Sequence, residues 1–155
     1  MRKEFEIMTI FFDMDGTISN LYACPDWLPM LRAYNPAPYA EAAVMHNMSK
    51  LARYLNKVKA AGYSIGIISW LSKCSNEAYD CAVTAAKLDW LHRHLPSVVW
   101  DEINIISYGM CKADFMTSDT DILFDDEENN RKEWRGVAYE PSQIFDVLKK
   151  ILTET

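Results

Sequence analysis

Four short apolar runs, each ending at or just before a polar group, constrain this chain more than any other feature. Ile7-Met8-Thr9-Ile10-Phe11-Phe12 stops at Asp13-Met14-Asp15-Gly16-Thr17, and Ser64-Ile65-Gly66-Ile67-Ile68 stops at Ser69. Ile103-Asn104-Ile105-Ile106 precedes Lys112, and Ile122-Leu123-Phe124 stops at Asp125-Asp126. Runs this short, rich in β-branched and aromatic residues, read as buried strands. Val137-Ala138-Tyr139 is a short fifth candidate.

Helical patterns separate these runs. From about Tyr39 to Ala61, Val44, Met48, Leu51, Leu55 and Val58 recur at spacings of three or four, and Gly62 supplies a stop. Ser75 through His94 is helical again, with Ala82, Ala86, Leu88 and Leu91 expected on or near its inner face. Ser142 to Leu152 closes the chain as an amphipathic helix. Strands alternating with helices predict a doubly wound α/β fold with a mainly parallel sheet. In such a sheet ligands bind beyond the carboxyl ends of the strands. One segment stands outside the alternation, from about Asn20 to Tyr39, where Pro25, Pro29, Pro36 and Pro38 interrupt any long helix.

The chain has 155 residues, half of them hydrophobic, enough for one domain (1–155) with a proper core. A formal net charge of −6 argues against a broad nucleic-acid-binding patch and suits a protein that gathers carboxylates around a divalent cation. Cys24, Cys74, Cys81 and Cys111 form no CxxC pair and are expected as reduced thiols, several of them buried. No stretch approaches the ~20 apolar residues of a membrane span, and the first apolar run is too short for a signal segment. These points lead to an expected cytoplasmic location.

If the sheet is parallel, Asp13, Asp15, Ser69, Lys112, Asp125 and Asp126 converge on one crevice. Two carboxylate clusters, a hydroxyl and an ammonium are what Mg²⁺-assisted phosphoryl transfer requires. Mg²⁺ takes hard oxygen ligands. A carboxylate can attack phosphorus and so divide hydrolysis into two steps. A second carboxyl group two residues on can protonate the leaving oxygen and then activate water. A hydroxyl and an ammonium can hold the phosphoryl oxygens.

Asp13-Met14-Asp15-Gly16-Thr17 resembles the DxDGT signature of phosphatases of the haloacid dehalogenase (HAD) superfamily. Ser69, Lys112 and Asp125-Asp126 match that superfamily's three further motifs, in order and over most of the chain. Asp121 to Asp126 with Asn129-Asn130 is similar to the last motif of small 5′-nucleotidase-like and phage-type members. The resemblance implies a Rossmann-like HAD core with a minimal cap or none. It implies Asp13 as nucleophile and Mg²⁺ ligand, and Asp15 as general acid/base with its backbone carbonyl on the metal. Ser69 and Lys112 would bind the phosphoryl group, and Asp125 and Asp126 would complete the metal shell. His46, His92 and His94 receive no chemistry, and Met45 and Met48 are expected as core filler.

Two rival readings are a phosphoacceptor domain and a HAD-like binding or regulatory domain without turnover. Asp15 two residues past Asp13, with Ser69 at the middle position, favours a hydrolase. The expected substrate is a small phosphomonoester. Tyr22, Trp27, Tyr34 and Tyr39 in the insert, with Trp70, suggest a nucleotide base or another planar group.

Overall fold

The computed structural model describes residues 8–154. In chain order its elements are β1 (Thr9–Phe12), β2 (Ser19–Asn20), α1 (Trp27–Arg32), α2 (Ala37–Glu41), β3 (Ala43–Val44), α3 (Met48–Ala60), β4 (Ser64–Trp70), α4 (Glu77–His94), β5 (Glu102–Ile106), β6 (Ile122–Phe124), α5 (Glu128–Glu133), β7 (Val137–Tyr139) and α6 (Ile144–Thr153). Ile7, the expected start of the first strand, lies outside the described residues.

All five expected strands form one parallel sheet, ordered β5-β4-β1-β6-β7. β1 is central and buried on both faces, so its side chains alternate between two cores. Ile10 and Phe12 pack with Leu51, Leu55 and Val58 of α3 and with Ile144 and Leu148 of α6. Phe11 turns to the opposite face, with Ile68, Leu123 and Trp134. This is an α/β, Rossmann-like arrangement.

The register fixes where the polar residues emerge. Phe12 lies level with Ile67 of β4 and Phe124 of β6, so Asp13 and Asp125 leave neighbouring strands side by side. The Asp13 amide donates to the Phe124 carbonyl at 2.9 Å, and the Asp125 amide to the Tyr139 carbonyl at 3.1 Å. Both aspartates are thus held by the sheet's own hydrogen bonding.

The long helix expected from Tyr39 begins instead at Met48. Asn47 caps it by accepting the Lys50 amide at 3.1 Å. Upstream, Tyr39 belongs to the separate short helix α2, and Val44 to β3, where it is exposed. Met45 is likewise exposed rather than core filler. In α4, Asn76 caps the Tyr79 amide at 2.8 Å, and the buried face is Tyr79, Val83, Lys87, Trp90 and Leu91. Leu88, expected on that face, is exposed.

β2 and β3 pair antiparallel, Ser19 with Val44 and Asn20 with Ala43, and clamp the two ends of the insert. The insert therefore extends to Ala42 rather than ending near Tyr39. Pro29 and Pro38 fall in the first turns of α1 and α2, where a missing N–H costs nothing. None of the four cysteines is buried, against expectation: Cys24 and Cys111 are half-buried, Cys74 and Cys81 exposed, and all are free thiols. Among the described residues no helix is long and apolar enough to cross a membrane.

Candidate active site

Asp13, Asp125 and Asp126 form the floor of a cleft at the strand ends. Each offers one carboxylate oxygen, and these oxygens lie within 4.8 Å of one another. Lys112 enters from a single 3-10 turn after β5 and is 2% exposed. Its ammonium donates to Asp13 Oδ1 at 2.8 Å and to Asp125 Oδ2 at 2.7 Å. Thr17 Oγ1 donates to Asp13 Oδ2 at 3.0 Å and, at 3.5 Å, to Asp126 Oδ1. Asp125 is the most enclosed of the three: it also accepts from the Glu127 amide at 2.9 Å and from Asn130 Nδ2 at 3.1 Å.

The turn after β1 is wound tightly around Met14, whose carbonyl accepts from the amides of Thr17, Ile18 and Ser19. Gly16 takes φ +81° there, in the left-handed region. A Cβ at Gly16 would collide with Asp126 Oδ2 and crowd the ring of Tyr22. Glycine is thus required twice, by conformation and by the close approach of Asp126.

Crowding shapes the electrostatics. Burial, and next the charge of Asp13, push the Asp125 carboxyl up to about 6 and that of Asp126 up to about 8. Burial tends to lower the Lys112 ammonium, but Asp13 and Asp125 outweigh it and hold the group above its usual range. Burial also raises Asp15, with the charge of Lys87 opposing it. One ammonium against three carboxyl groups leaves hard oxygen donors whose negative charge a cation would complete by displacing the proton that Asp126 retains. That donor set fits Mg²⁺, which prefers oxygen ligands and needs few from the protein.

Above the floor the cleft has a volume of about 450 Å³. One wall comes from the insert: Leu21, Tyr22, Trp27, Leu28, Leu31 and Tyr39. Tyr22 and Trp27 meet edge to face with centroids 5.0 Å apart. Trp70, which also lines the cleft, packs on Tyr108 at 5.0 Å, lies 5.3 Å from the Lys112 ammonium and donates to the Met110 carbonyl at 2.9 Å. Tyr34 does not join the cleft; it packs on Tyr79.

Two solved structures share this architecture. A D,D-heptose 1,7-bisphosphate phosphatase from Burkholderia thailandensis aligns with a TM-score of 0.50 at 16% identity, over 81% of this chain and 70% of its own. A candidate HAD-like phosphatase from Mesorhizobium loti aligns with a TM-score of 0.58 at 13% identity, over 95% of this chain and 87% of its own. The chain has the HAD-like fold. No protein-family model and no curated protein matches it.

On this HAD-like core, Asp13, Asp15, Lys112, Asp125 and Asp126 all line the cleft. Ser69 does not: it is fully buried, and its Oγ accepts from Lys87 Nζ at 2.6 Å. The serine that lines the cleft is Ser72. The carboxylate of Asp15 stands apart from the three-aspartate cluster and pairs with Lys87 at 2.9 Å.

Sequence reasoning assigned no role to Lys87, Asn130, Ser72 or His46. Asn130 had a signal, because Asn129-Asn130 belongs to the stretch that resembles the last motif, and its side chain donates to Asp125. His46 was expected in a helix away from the motifs; it sits instead in the loop before α3, with Nε2 2.7 Å from the Thr17 carbonyl. Lys87 gave no signal beyond being one lysine in a helix.

Proposed function

We propose that this chain is a Mg²⁺-dependent phosphomonoesterase acting through an aspartyl-phosphate on Asp13, with all 155 residues working as one catalytic unit. The observation that carries the reading is the floor: three aspartates from adjacent strand ends, braced by Lys112, beneath a cleft sized for a small molecule. The HAD-like fold of two phosphatase-named structures supports it.

Asp13 and Asp126 would hold the metal directly, with the Asp15 backbone carbonyl. Asp126 accepts a long bond from Thr17 and adjoins the Asp13 carboxylate, whereas both oxygens of Asp125 are engaged by Lys112, Asn130 and the Glu127 amide. Asp125 accordingly serves through Lys112 and through water. When bound, Mg²⁺ neutralises phosphoryl oxygens and offsets the repulsion between nucleophile and ester.

The residues' own tasks follow. Asp13 attacks phosphorus as the ester bond breaks. Asp15 gives its proton to the leaving oxygen, then takes one from the water that cleaves the aspartyl-phosphate. Lys112 holds a phosphoryl oxygen and fixes Asp13. Ser69 contributes from behind the cleft, through Lys87.

The substrate class we propose is a mononucleotide or similar phosphomonoester. Tyr22 with Trp27, and Trp70 with Tyr108, offer flat surfaces for a planar group. Long nucleic acid is disfavoured by the chain's charge of −6. Four free cysteines suit a reducing cytoplasm.

The test is phosphate release from a panel of nucleoside monophosphates and sugar phosphates, with Mg²⁺ and with excess chelator. Sustained, chelator-sensitive turnover is expected. Labelling that stops at one phosphate per chain would instead make it a phosphoacceptor. A preference for sugar phosphates would overturn the nucleotide assignment alone.

A further inference from the structure

We infer that Lys87 is a positioning residue for Asp15, holding one carboxylate oxygen from behind so that the other faces the leaving group. The inference rests on the phosphatase reading above.

Lys87 sits on the buried face of α4, 1% exposed, and does not line the cleft. It therefore touches no substrate. Its ammonium donates to Asp15 Oδ2 at 2.9 Å, Ser69 Oγ at 2.6 Å and the Trp70 carbonyl at 2.7 Å. An ammonium has three N–H bonds, and here each has an acceptor. The ring of Tyr39 lies 5.0 Å from the same nitrogen and closes the insert over it.

A lysine this buried is a poor choice for stability alone. Desolvating the charge is costly, and an apolar side chain of similar volume often serves a core as well. What an apolar side chain could not do is tie three groups from two elements together. Asp15 comes from the turn after β1; Ser69 and Trp70 come from the end of β4. The two carboxylate oxygens of Asp15 are treated unequally. Oδ2 is anchored on Lys87, while Oδ1 accepts a long bond from Ser19 at 3.4 Å. Asp15 lines the cleft, so the loosely held oxygen is the one available to the ester. Proton transfer needs that oxygen within hydrogen-bond reach of the leaving atom.

The consequence separates substrates by leaving group. As Asp13 bonds to phosphorus and the ester P–O bond breaks, the departing oxygen takes the proton of Asp15. A p-nitrophenolate leaves without that proton; a phenolate leaves far less readily without it. Misplacing Asp15 therefore harms phenyl phosphate much more than p-nitrophenyl phosphate.

The experiment measures kcat/KM for both esters in wild type, Lys87→Met, Lys87→Gln and, as a benchmark, Asp15→Asn, with thermal melts to confirm folding. For Lys87→Met we expect a loss of ~10–100-fold on phenyl phosphate and no more than ~3-fold on p-nitrophenyl phosphate, the same asymmetry as Asp15→Asn but smaller. Lys87→Gln keeps a donor without the charge and should fall between Lys87→Met and wild type. Equal losses on both esters in the folded variants, or failure of both to fold, would make Lys87 a structural residue and overturn the inference. If the wild type releases phosphate in Mg²⁺ neither from these esters nor from nucleoside monophosphates or sugar phosphates, the phosphatase reading itself falls, and the inference with it.

Discussion

Asp13 and Asp125 leave adjacent strands in register, their amides bonded into the sheet, and Lys112 pins them together with 2% of its surface exposed. The wall opposite is built differently. α1 has six residues, none of them buried, and left-handed non-glycine residues flank it, Asp26 at φ 58° and Tyr34 at φ 57°. The floor is over-determined by sheet hydrogen bonds and charge; the wall is held by side-chain packing, Leu21 and Tyr39 on Tyr79 and Val83 of α4, and α1 itself adds no buried residue and is flanked by strained backbone. Chemistry that tolerates little displacement belongs on the floor, and selection among ligands suits the more easily displaced wall. Changes to the floor should therefore alter rates by orders of magnitude whatever the substrate. Changes to the wall should alter them modestly and selectively.

The largest effect is expected from Asp13→Asn. The amide is nearly isosteric but cannot form an acyl-phosphate, so kcat should fall by ~10⁴-fold or more with the melting temperature preserved. Phosphate release near the wild-type rate from the purified variant would remove Asp13 as nucleophile and dissolve the contrast between floor and wall.

Next comes the metal. Asp126→Asn should raise the Mg²⁺ concentration for half-maximal activity by ~10–100-fold, judged by the size of effects at comparable metal sites. Asp125→Asn should act otherwise, because it weakens the partner of a buried ammonium; thermal stability should drop along with activity. If Asp125→Asn shifts the Mg²⁺ requirement more than Asp126→Asn does, the two aspartates have been assigned the wrong way round.

The same contrast explains what could be read from the sequence. A buried strand that stops at an aspartate announces itself, because an apolar run and a charge leave little room for another account. Hence the placement of Asp13, Asp15, Asp125 and Asp126 at the strand ends, lining one cleft, is legible, as is the order of the strands along the chain. The wall was not, because its two short helices and the β2–β3 clamp are set by contacts distant in sequence. Lys87 was hidden for a related reason. α4 packs its first half on the insert, through Tyr79 and Val83, and its second half on the main core, through Trp90 and Leu91. No single helical stripe describes both, and Leu88 looked like a better inner residue than its neighbour. His46 is hidden because the spacing from Tyr39 predicts one helix, whereas the Asn47 cap delays the helix until after it.

Wall substitutions come third in size. Trp27→Ala and Trp70→Ala should each lower kcat/KM for nucleoside monophosphates by about 5–50-fold, the range set by loss of one stacking surface. Sugar phosphates should change little. Trp70→Ala is the sharper case, since Trp70 also neighbours Lys112; an equal loss on both substrate classes would show that it acts on the floor.

The smallest effect concerns stability, and it separates floor from wall without any substrate. Burial and then the charge of Asp13 hold the Asp126 carboxyl at about 8 in the folded protein, against 3.8 for an ordinary aspartate. The folded state thus keeps a proton that the unfolded state gives up between these values. By linkage, the metal-free fold gains most from this group below pH ~4 and loses that gain as pH rises through about 8. Asp126→Asn removes the titration, so the metal-free variant should lose less melting temperature than wild type between pH 5 and pH 8.5. At the upper end it should melt a few degrees higher, since ~1 kcal/mol moves the midpoint by roughly 2–4 °C in a chain of this size. Mg²⁺ should reverse the order, because it binds the folded wild type better than the variant and stabilises it by mass action. Trp27→Ala should show neither the pH effect nor the reversal. Parallel melting curves for wild type and Asp126→Asn across this range would mean that neither burial nor the charge of Asp13 raises the Asp126 carboxyl in the metal-free fold, and the electrostatic account of the floor would have to be abandoned.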